Sequence, residues 1–164
     1  MTVILITTVL GPMLVAGTPR GVCHVSFGDD ETLLEQEFAR RSETTSPLRD
    51  EDGVALWAHE LAEYLAGKSR TISLPLDVEG TPFQKIVWAE LCRIPFGARC
   101  SYREVAIAIG RPKAARAVAR ACASNRVAVL IPCHRVVRET GALGGYRWGI
   151  ERKQQLLEAE HTRA

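Results

Sequence analysis

Residues 131–136, Ile-Pro-Cys-His-Arg-Val, place a cysteine beside an imidazole and a guanidinium within an otherwise apolar segment. His134 and Arg135 would favour the thiolate of Cys133, which is the form of cysteine that acts as a nucleophile. The apolar residues 127–131 lead into this segment and end at a proline, which predicts a short buried strand. The segment therefore indicates a reactive thiol at the end of a strand. The alternative is an inert buried thiol, as most free cysteines are.

The composition is that of an ordinary globular protein with one or two small domains. The chain has 164 residues, of which 46% are hydrophobic and 24% are charged, with a net charge of +2. Five cysteines without a C-x-x-C pair argue against a disulfide framework or a zinc site, so we expect a reducing, cytoplasmic location. The apolar start lacks a basic region and predicts a strand rather than a signal peptide. No segment is long enough to cross a membrane.

The first half of the chain, residues 1–79, has the pattern of a scaffold. Three strands separated by turns predict an antiparallel sheet, at residues 3–9, 13–16 and 22–27. Two helices are predicted next, over residues 31–40 and from Val54 to before Gly67, joined by a polar linker at residues 42–47. Alternating apolar residues between Ile72 and Val78 predict a further strand. Cys23 and His24 are not expected to bind metal together, because neighbouring strand residues face opposite sides.

The second half, residues 80–164, is predicted to be mostly helical. Capping boxes open one helix at Thr81 and another at Ser101, which end near residue 93 and at Ile109. A glycine ends the second helix, and Pro112 starts a third that continues to about residue 123. A helix, a turn containing glycine and a second helix form the helix-turn-helix pattern. The helix that begins at Thr81 is expected to bury Phe83, Ile86, Val87 and Leu91.

The last helix of this pattern intersperses small and cationic side chains. Arg116 and Arg120 lie four residues apart and therefore share one face. Small residues let a helix approach a surface closely, and the cations can then contact phosphates. The alternative is an alanine-rich solvated helix that reflects helix propensity alone. The residues expected to contact DNA are Arg111, Lys113, Ala115, Arg116, Ala117, Arg120 and Arg126.

Together these motifs resemble those of the O6-alkylguanine-DNA alkyltransferases, or methylated-DNA–protein-cysteine methyltransferases. The Pro-Cys-His-Arg-Val-Val segment resembles the active-site signature of that family. Further motifs fall at the family's spacings, at residues 81–84, 94–95, 101–102, 112–118 and 124–125. Within the family, residues 122–125 and 145–149 are most similar to the alkyltransferase domain of the bacterial adaptive-response protein.

The resemblance implies a mixed α/β (α+β) fold of two domains. Residues 1–79 would form a ribonuclease H-like scaffold with the three-stranded sheet, and residues 80–164 a mostly helical, winged-helix-like domain that binds DNA and accepts the alkyl group. The implied function is DNA repair by direct damage reversal, in which a methyl or alkyl group moves irreversibly from O6 of guanine, or O4 of thymine, in duplex DNA to the protein's own cysteine. No cofactor, metal or membrane is implied, and the protein is expected to be a monomer.

The resemblance also implies roles for individual residues. Cys133 would accept the alkyl group, His134 would draw the thiol proton through a water, and Glu160 would orient and polarise His134. Asn125 would hold the turn before the acceptor. Tyr102 would donate a proton to the departing guanine and crowd the backbone phosphate into rotation.

Other residues would serve DNA and base recognition. Arg116 would insert into the duplex where the flipped nucleotide had been, and Arg135 would be structural. The guanine pocket would be formed by Val136, Tyr146, Arg147 and Trp148.

Two other functions fit parts of the sequence. A cysteine hydrolase also uses Cys and His, but those residues are normally distant in sequence and need an oxyanion hole. On a strand the side chains of Cys133 and His134 would point apart, which favours a water-mediated alkyltransferase. The other is an alkyltransferase-like protein that binds lesions without repairing them. Such proteins carry another residue in place of the nucleophile, so Cys133 argues against this function.

Overall fold

The structure is a computed structural model that describes residues 1–42 and 53–164. The chain forms two compact units, Met1–Val78 and Glu79–Ala164. Apart from its first residue, the predicted linker at residues 42–47 lies outside the described residues.

An antiparallel three-stranded sheet organises the first unit, as predicted. Its strands are β1 (Thr2–Thr8), β2 (Gly11–Thr18) and β3 (Gly21–Phe27), with β2 in the centre. Residues 13–16 of β2 are completely buried, because this strand is paired on both sides and covered by helices.

Two helices complete the first unit and confirm the helix predictions. Helix α1 (Glu31–Arg41) begins at Asp30, whose carboxylate accepts the N–H of Leu33, and it packs Leu34 against β2. Helix α2 (Val54–Leu65) buries one apolar stripe.

The alternating segment from Ile72 to Val78 does not form the predicted strand. It makes a single parallel bridge between Leu76 and Val22, flanked by hydrogen bonds from Val22 to Pro75 and from Asp77 to Val22. Because Pro75 has no N–H, it cannot take part in a continuous ladder.

The second unit is mostly helical, as predicted. Its elements are α3 (Pro82–Leu91), β4 (Cys100–Ser101), α4 (Tyr102–Ala108), α5 (Ala115–Ala123), a 3-10 turn (Cys133–Arg135), β5 (Val136–Val137) and α6 (Ile150–Arg163). The short strands β4 and β5 pair in parallel.

Both predicted capping boxes are present. Thr81 and Gln84 exchange side-chain and backbone hydrogen bonds of 3.1 and 2.9 Å at the start of α3. Ser101 and Glu104 exchange the equivalent bonds, of 3.0 and 2.6 Å, at the start of α4. These boxes fix where the two helices begin, because they satisfy N–H groups that have no partner within the helix.

Two details of the predicted helices are wrong. Helix α5 begins at Ala115 rather than at Pro112, because residues 112–114 form a turn. On α3 the side chain of Ile86 is 44% exposed, whereas Trp88, which the periodicity did not select, is buried beside Val87.

The apolar residues 127–131 form a turn, not the predicted strand. The N–H of Leu130 donates to Ala128 at 2.8 Å and that of Ile131 to Val127 at 3.2 Å. Val129 adopts φ +70°, a left-handed conformation that β-branched residues rarely adopt. Burial was predicted correctly, but a short apolar run does not distinguish a strand from other buried structure.

Within the described residues, no helix is both long and apolar enough to cross a membrane. The same residues contain no cluster of three or more histidine, cysteine or acidic side chains that could hold a metal ion.

Candidate active site

The Cys133 thiol opens the 3-10 turn and is only 6% exposed. Asn125, which follows α5, donates its side-chain amide to Sγ of Cys133 at 3.3 Å and to the carbonyl of Ile131 at 3.0 Å. The Asn125 amide oxygen accepts the N–H of Val127 at 2.9 Å. Because Asn125 is completely buried and both ends of its amide are bonded, it fixes the turn and the thiol together.

Burial raises the pKa of the Cys133 thiol to about 11. The hydrogen bond from Asn125 and the charge of Lys153 act in the opposite direction and favour the thiolate. The thiol is therefore protonated at neutral pH, and its use as a nucleophile requires a group that accepts its proton.

His134 and Arg135 share the buried carboxylate of Glu160 on α6. Nε2 of His134 lies 2.8 Å from Oε1 of Glu160. Nε of Arg135 donates to both carboxylate oxygens, at 3.1 and 3.0 Å, and its Nη2 donates to Oε1 at 2.8 Å. The structure thus brings together the predicted pair His134 and Glu160, and it shows what holds Arg135 in the interior.

These contacts set the protonation states of the group. Burial alone would raise the pKa of Glu160, but hydrogen bonds from His134 and Arg135 outweigh burial and lower it to about 2. Burial also lowers the pKa of His134, although the contact with Glu160 opposes this shift. A neutral imidazole bonded to the carboxylate through Nε2–H leaves Nδ1 as an acceptor. Nδ1 is buried and has no hydrogen-bond partner among the residues described, so it is the available base.

Lys153 is a member of the site that the sequence analysis missed. Its side chain is 0% exposed, and Nζ donates to the carbonyls of Val136 at 2.7 Å and Gly145 at 3.2 Å. Burial lowers the pKa of Lys153, and proximity to Cys133 opposes this shift. One signal was available: Lys153 shares the inward stripe of α6 with Glu160, seven residues later.

Tyr102 begins α4 and is half-buried. Burial, followed by the nearby thiols Cys122 and Cys133, raises its pKa to about 12, so the phenol stays protonated at neutral pH. A Cβ on Gly144, at φ +71°, would lie 2.8 Å from the Tyr102 hydroxyl oxygen. This glycine therefore allows the loop before α6 to pass directly against the hydroxyl.

That loop, residues 144–149, carries three of the four predicted guanine-pocket residues, Tyr146, Arg147 and Trp148. The rings of Tyr146 and Trp148 meet edge-to-face at 5.2 Å, and Trp148 is buried. Nη1 of Arg147 donates to the backbone carbonyl of Asn125 at 3.2 Å. The carbonyl of Val136, the fourth predicted pocket residue, accepts a hydrogen bond from the buried Lys153.

The predicted DNA contacts lie on α5 and at its two ends. All five cations are exposed, whereas Ala115 and Ala117 are half-buried. The guanidinium of Arg111 also lies 5.3 Å from the ring centre of Phe83 on α3. Since α5 ends beside Asn125, the exposed cationic helix leads directly to the residue that contacts the thiol.

Two models of one protein family match nearly the whole chain. The family model described as 6-O-methylguanine DNA methyltransferase, ribonuclease-like domain, matches residues 1–78, and the DNA binding domain of the same name matches residues 82–162. A methylated-DNA–protein-cysteine methyltransferase of Methanosarcina barkeri is 39% identical over 158 residues, which cover 96% of each chain. The chain belongs to this methyltransferase family.

Further members of the methyltransferase family are similar in sequence and structure. The Escherichia coli protein Ada, a bifunctional transcriptional activator and DNA repair enzyme, is 46% identical over 92% of this chain, which spans only 43% of Ada. A Mycobacterium tuberculosis OGT solved in complex with DNA has a TM-score of 0.85 and 35% identity, covering 100% of this chain and 95% of that one. The mixed α/β fold expected from the sequence is confirmed by this similarity.

Glu160 is predicted to stabilise the fold in a pH-dependent way. Its pKa falls from an ordinary 4.5 to about 2, so its stabilisation is complete above pH 4.5 and is lost as the pH falls through 2. Glu160→Gln should lower the free energy of unfolding at neutral pH by about 3–5 kcal/mol, because Arg135 keeps a buried charge without its partner. Urea unfolding across a pH series measures both effects.

Glu158→Gln is the matched control for this prediction, because Glu158 lies on the same helix and is exposed. It should change the free energy of unfolding by less than about 0.5 kcal/mol. Equal effects of the two substitutions would contradict the assignment of a stabilising buried carboxylate.

Proposed function

We propose that this protein repairs DNA by direct damage reversal, transferring a methyl or other alkyl group from O6 of guanine in duplex DNA to Sγ of Cys133. The observation that carries the proposal is the arrangement around the thiol. A buried cysteine receives a hydrogen bond from Asn125, lies in the field of Lys153 and is followed by a histidine paired with a buried carboxylate. O4 of thymine presents the same aryl-ether chemistry and is a second substrate of the proposed reaction.

Proton removal from the thiol involves His134. A 3-10 helix has three residues per turn, so consecutive side chains point in different directions. The side chain of His134 therefore reaches the Cys133 proton through a water rather than directly. Nδ1 takes up the proton, and Glu160, bonded to Nε2, stabilises the imidazolium that forms.

The transfer is a displacement at carbon. The Cys133 thiolate forms a bond to the alkyl carbon, the bond from that carbon to O6 breaks, and its electron pair remains on the guanine. Tyr102, protonated because its pKa is about 12, donates its proton to the departing base as this electron pair develops, and the proton held by His134 restores the phenol. The product is a thioether, which thiol exchange does not reverse, so one molecule repairs one lesion. No cofactor or metal takes part in these steps.

Lys153 affects the Cys133 nucleophile in two ways. Its ammonium favours the Cys133 thiolate electrostatically, and its bond to the Val136 carbonyl fixes the backbone next to the acceptor. With Tyr146, Arg147 and Trp148, this backbone forms the proposed guanine pocket.

The target atom lies inside a duplex, so the nucleotide must leave the stack at a cost of a few kcal/mol. Helix α5 is proposed to enter the minor groove, where its small residues permit close approach and Arg116 fills the space left by the base. The exposed cations Arg111, Lys113, Arg120 and Arg126 contact phosphates, which makes binding salt-dependent and largely independent of sequence.

The proposal divides the work between the two parts of the chain. Residues 80–164 bind DNA and accept the alkyl group, and residues 1–79 serve as scaffold. The protein acts as a monomer in the cytoplasm, where its five free cysteines stay reduced.

Transfer of a radiolabelled methyl group from O6-methylguanine in duplex DNA is the direct test of the function. One equivalent of label should move to the peptide containing Cys133, and Cys133→Ala should abolish transfer while DNA binding persists, since binding rests on α5. Multiple turnovers, or label on Cys122 or Cys100, would contradict the proposal. Lesion binding without transfer by the wild type would identify a binding protein of the alkyltransferase-like kind.

Arg116→Ala separates base extrusion from alkyl transfer. The variant should repair duplex DNA at least about tenfold more slowly, because without Arg116 nothing fills the vacated stack and offsets the few kcal/mol that base extrusion costs. Its reaction with the free O6-methylated base should be unchanged, since no stack is opened. Single-turnover rates on both substrates measure the difference, with Arg103→Ala, an exposed cation on α4, as control. Equal slowing on both substrates would exclude the role as a plug.

Lys153→Met tests the electrostatic role of the buried lysine. Methionine fills similar space without charge, so the pKa of Cys133 should rise by about one unit and transfer at neutral pH should fall up to about tenfold. The pH dependence of transfer from the free methylated base measures this shift. Lys85→Met, on the exposed face of α3, is the control. If Lys153→Met is less stable but its pH profile of transfer is the same as that of the wild type, Lys153 has only a structural role.

A further inference from the structure

Gln84 uses both ends of its side-chain amide. Its oxygen accepts the N–H of Thr81 at 2.9 Å, which completes the capping box of α3. Its nitrogen donates to the hydroxyl of Ser124 at 3.1 Å. A capping box needs only the first of these bonds, so the second is an additional link from α3 to the end of α5.

The link continues into the last turn of α5. The Ser124 hydroxyl donates to the carbonyl of Ala121 at 2.8 Å, and Nε1 of Trp88 donates to the same carbonyl at 2.9 Å. Gly80 leaves room for this indole, because a Cβ there would lie 2.6 Å from the ring of Trp88. The Ala121 carbonyl in the last turn of α5 is therefore held by two side-chain donors, Trp88 of α3 and Ser124, which is itself bonded to Gln84 of α3.

The residue after Ser124 is Asn125, whose amide donates to Sγ of Cys133. We propose that Gln84, acting through Ser124, is a positioning residue for alkyl transfer: it fixes the end of α5 and thereby the Asn125 amide that supports the acceptor thiol. This inference deepens the proposed function and rests on it. It assigns to Gln84 an effect on the nucleophile in addition to its effect on the helix.

Geometry makes the thiol sensitive to this link. The distance from Asn125 to Sγ is 3.3 Å, and the strength of a hydrogen bond depends steeply on distance and angle. This bond favours the thiolate of Cys133, so a small displacement of Asn125 raises the thiol pKa. Gln84 and Ser124 are only half-buried, so loss of their bond should lower stability modestly and leave the effect on the thiol measurable.

Two substitutions break the link in different ways. Gln84→Glu keeps an oxygen for the N–H of Thr81 and preserves the capping box, but it has no N–H for Ser124. Ser124→Ala removes the hydroxyl without adding a charge. Thr81→Ala is the matched control, because it weakens the cap of α3 and leaves the Gln84–Ser124 bond in place.

The readout is the rate at which iodoacetamide modifies Cys133 in the full chain without DNA, followed by mass spectrometry of its peptide at several pH values. Gln84→Glu and Ser124→Ala should each slow the reaction about twofold. A rise of about half a pKa unit reduces the thiolate fraction roughly threefold, and the greater nucleophilicity of the more basic thiolate offsets part of that loss. The double variant should be no slower than Ser124→Ala, since both residues lie on one path.

Thr81→Ala should lower the melting temperature and leave the rate profile unchanged. The proposal is overturned if Gln84→Glu and Ser124→Ala behave like Thr81→Ala, or if only the variant that adds a charge changes the rate. The outcome is independent of the proposed function, because the assay involves neither DNA nor alkylguanine. A wild type that transfers no methyl group would refute the function while the thiol rates still decide the positioning role.

Discussion

One buried carboxylate holds the second unit together. Glu160 of α6 binds His134 and Arg135, and Nη1 of Arg135 reaches the carbonyl of Ile94 after α3 at 2.8 Å. Helix α6, the 3-10 turn at Cys133–Arg135 and the end of α3 therefore meet at the Glu160 carboxylate. A buried charge is tolerated only when its hydrogen-bonding capacity is filled, so these elements are held in one arrangement. The base of the proposed reaction is oriented by the same contact that stabilises the fold.

Two opposing influences set the pKa of the Cys133 thiol. Burial disfavours the thiolate, whereas Asn125 and Lys153 favour it, and both of these residues are themselves buried and bonded to backbone carbonyls. The thiolate is therefore favoured by dipoles and charges that the fold holds in place. Such groups need no reorganisation when charge develops, which is how preorganised sites lower a barrier.

Local sequence patterns predicted most of the helices and strands. The errors lie where the conformation depends on contacts between residues distant in sequence. Capping boxes and the turns between short apolar strands specify their own geometry, so the helix starts at Thr81 and Ser101 and the three-stranded sheet were predicted correctly. The strand predicted at residues 127–131 was wrong, since an apolar run indicates burial without indicating conformation. Lys153 was missed because lysines are usually exposed, and its burial is explained by two backbone carbonyls, distant in sequence, that accept hydrogen bonds from Nζ.

The shielding of the Cys133 sulfur also bears on how long the protein lasts. Oxidants attack thiolates that are exposed, and conversion to sulfinic or sulfonic acid is irreversible. A sulfur that is almost completely covered and whose pKa is about 11 presents very little thiolate to peroxide. The proposed reaction uses Cys133 once, so slow oxidation of this thiol keeps more of the molecules able to react. The number of lesions that can be repaired then depends on how many molecules are made rather than on how fast the thiol is oxidised.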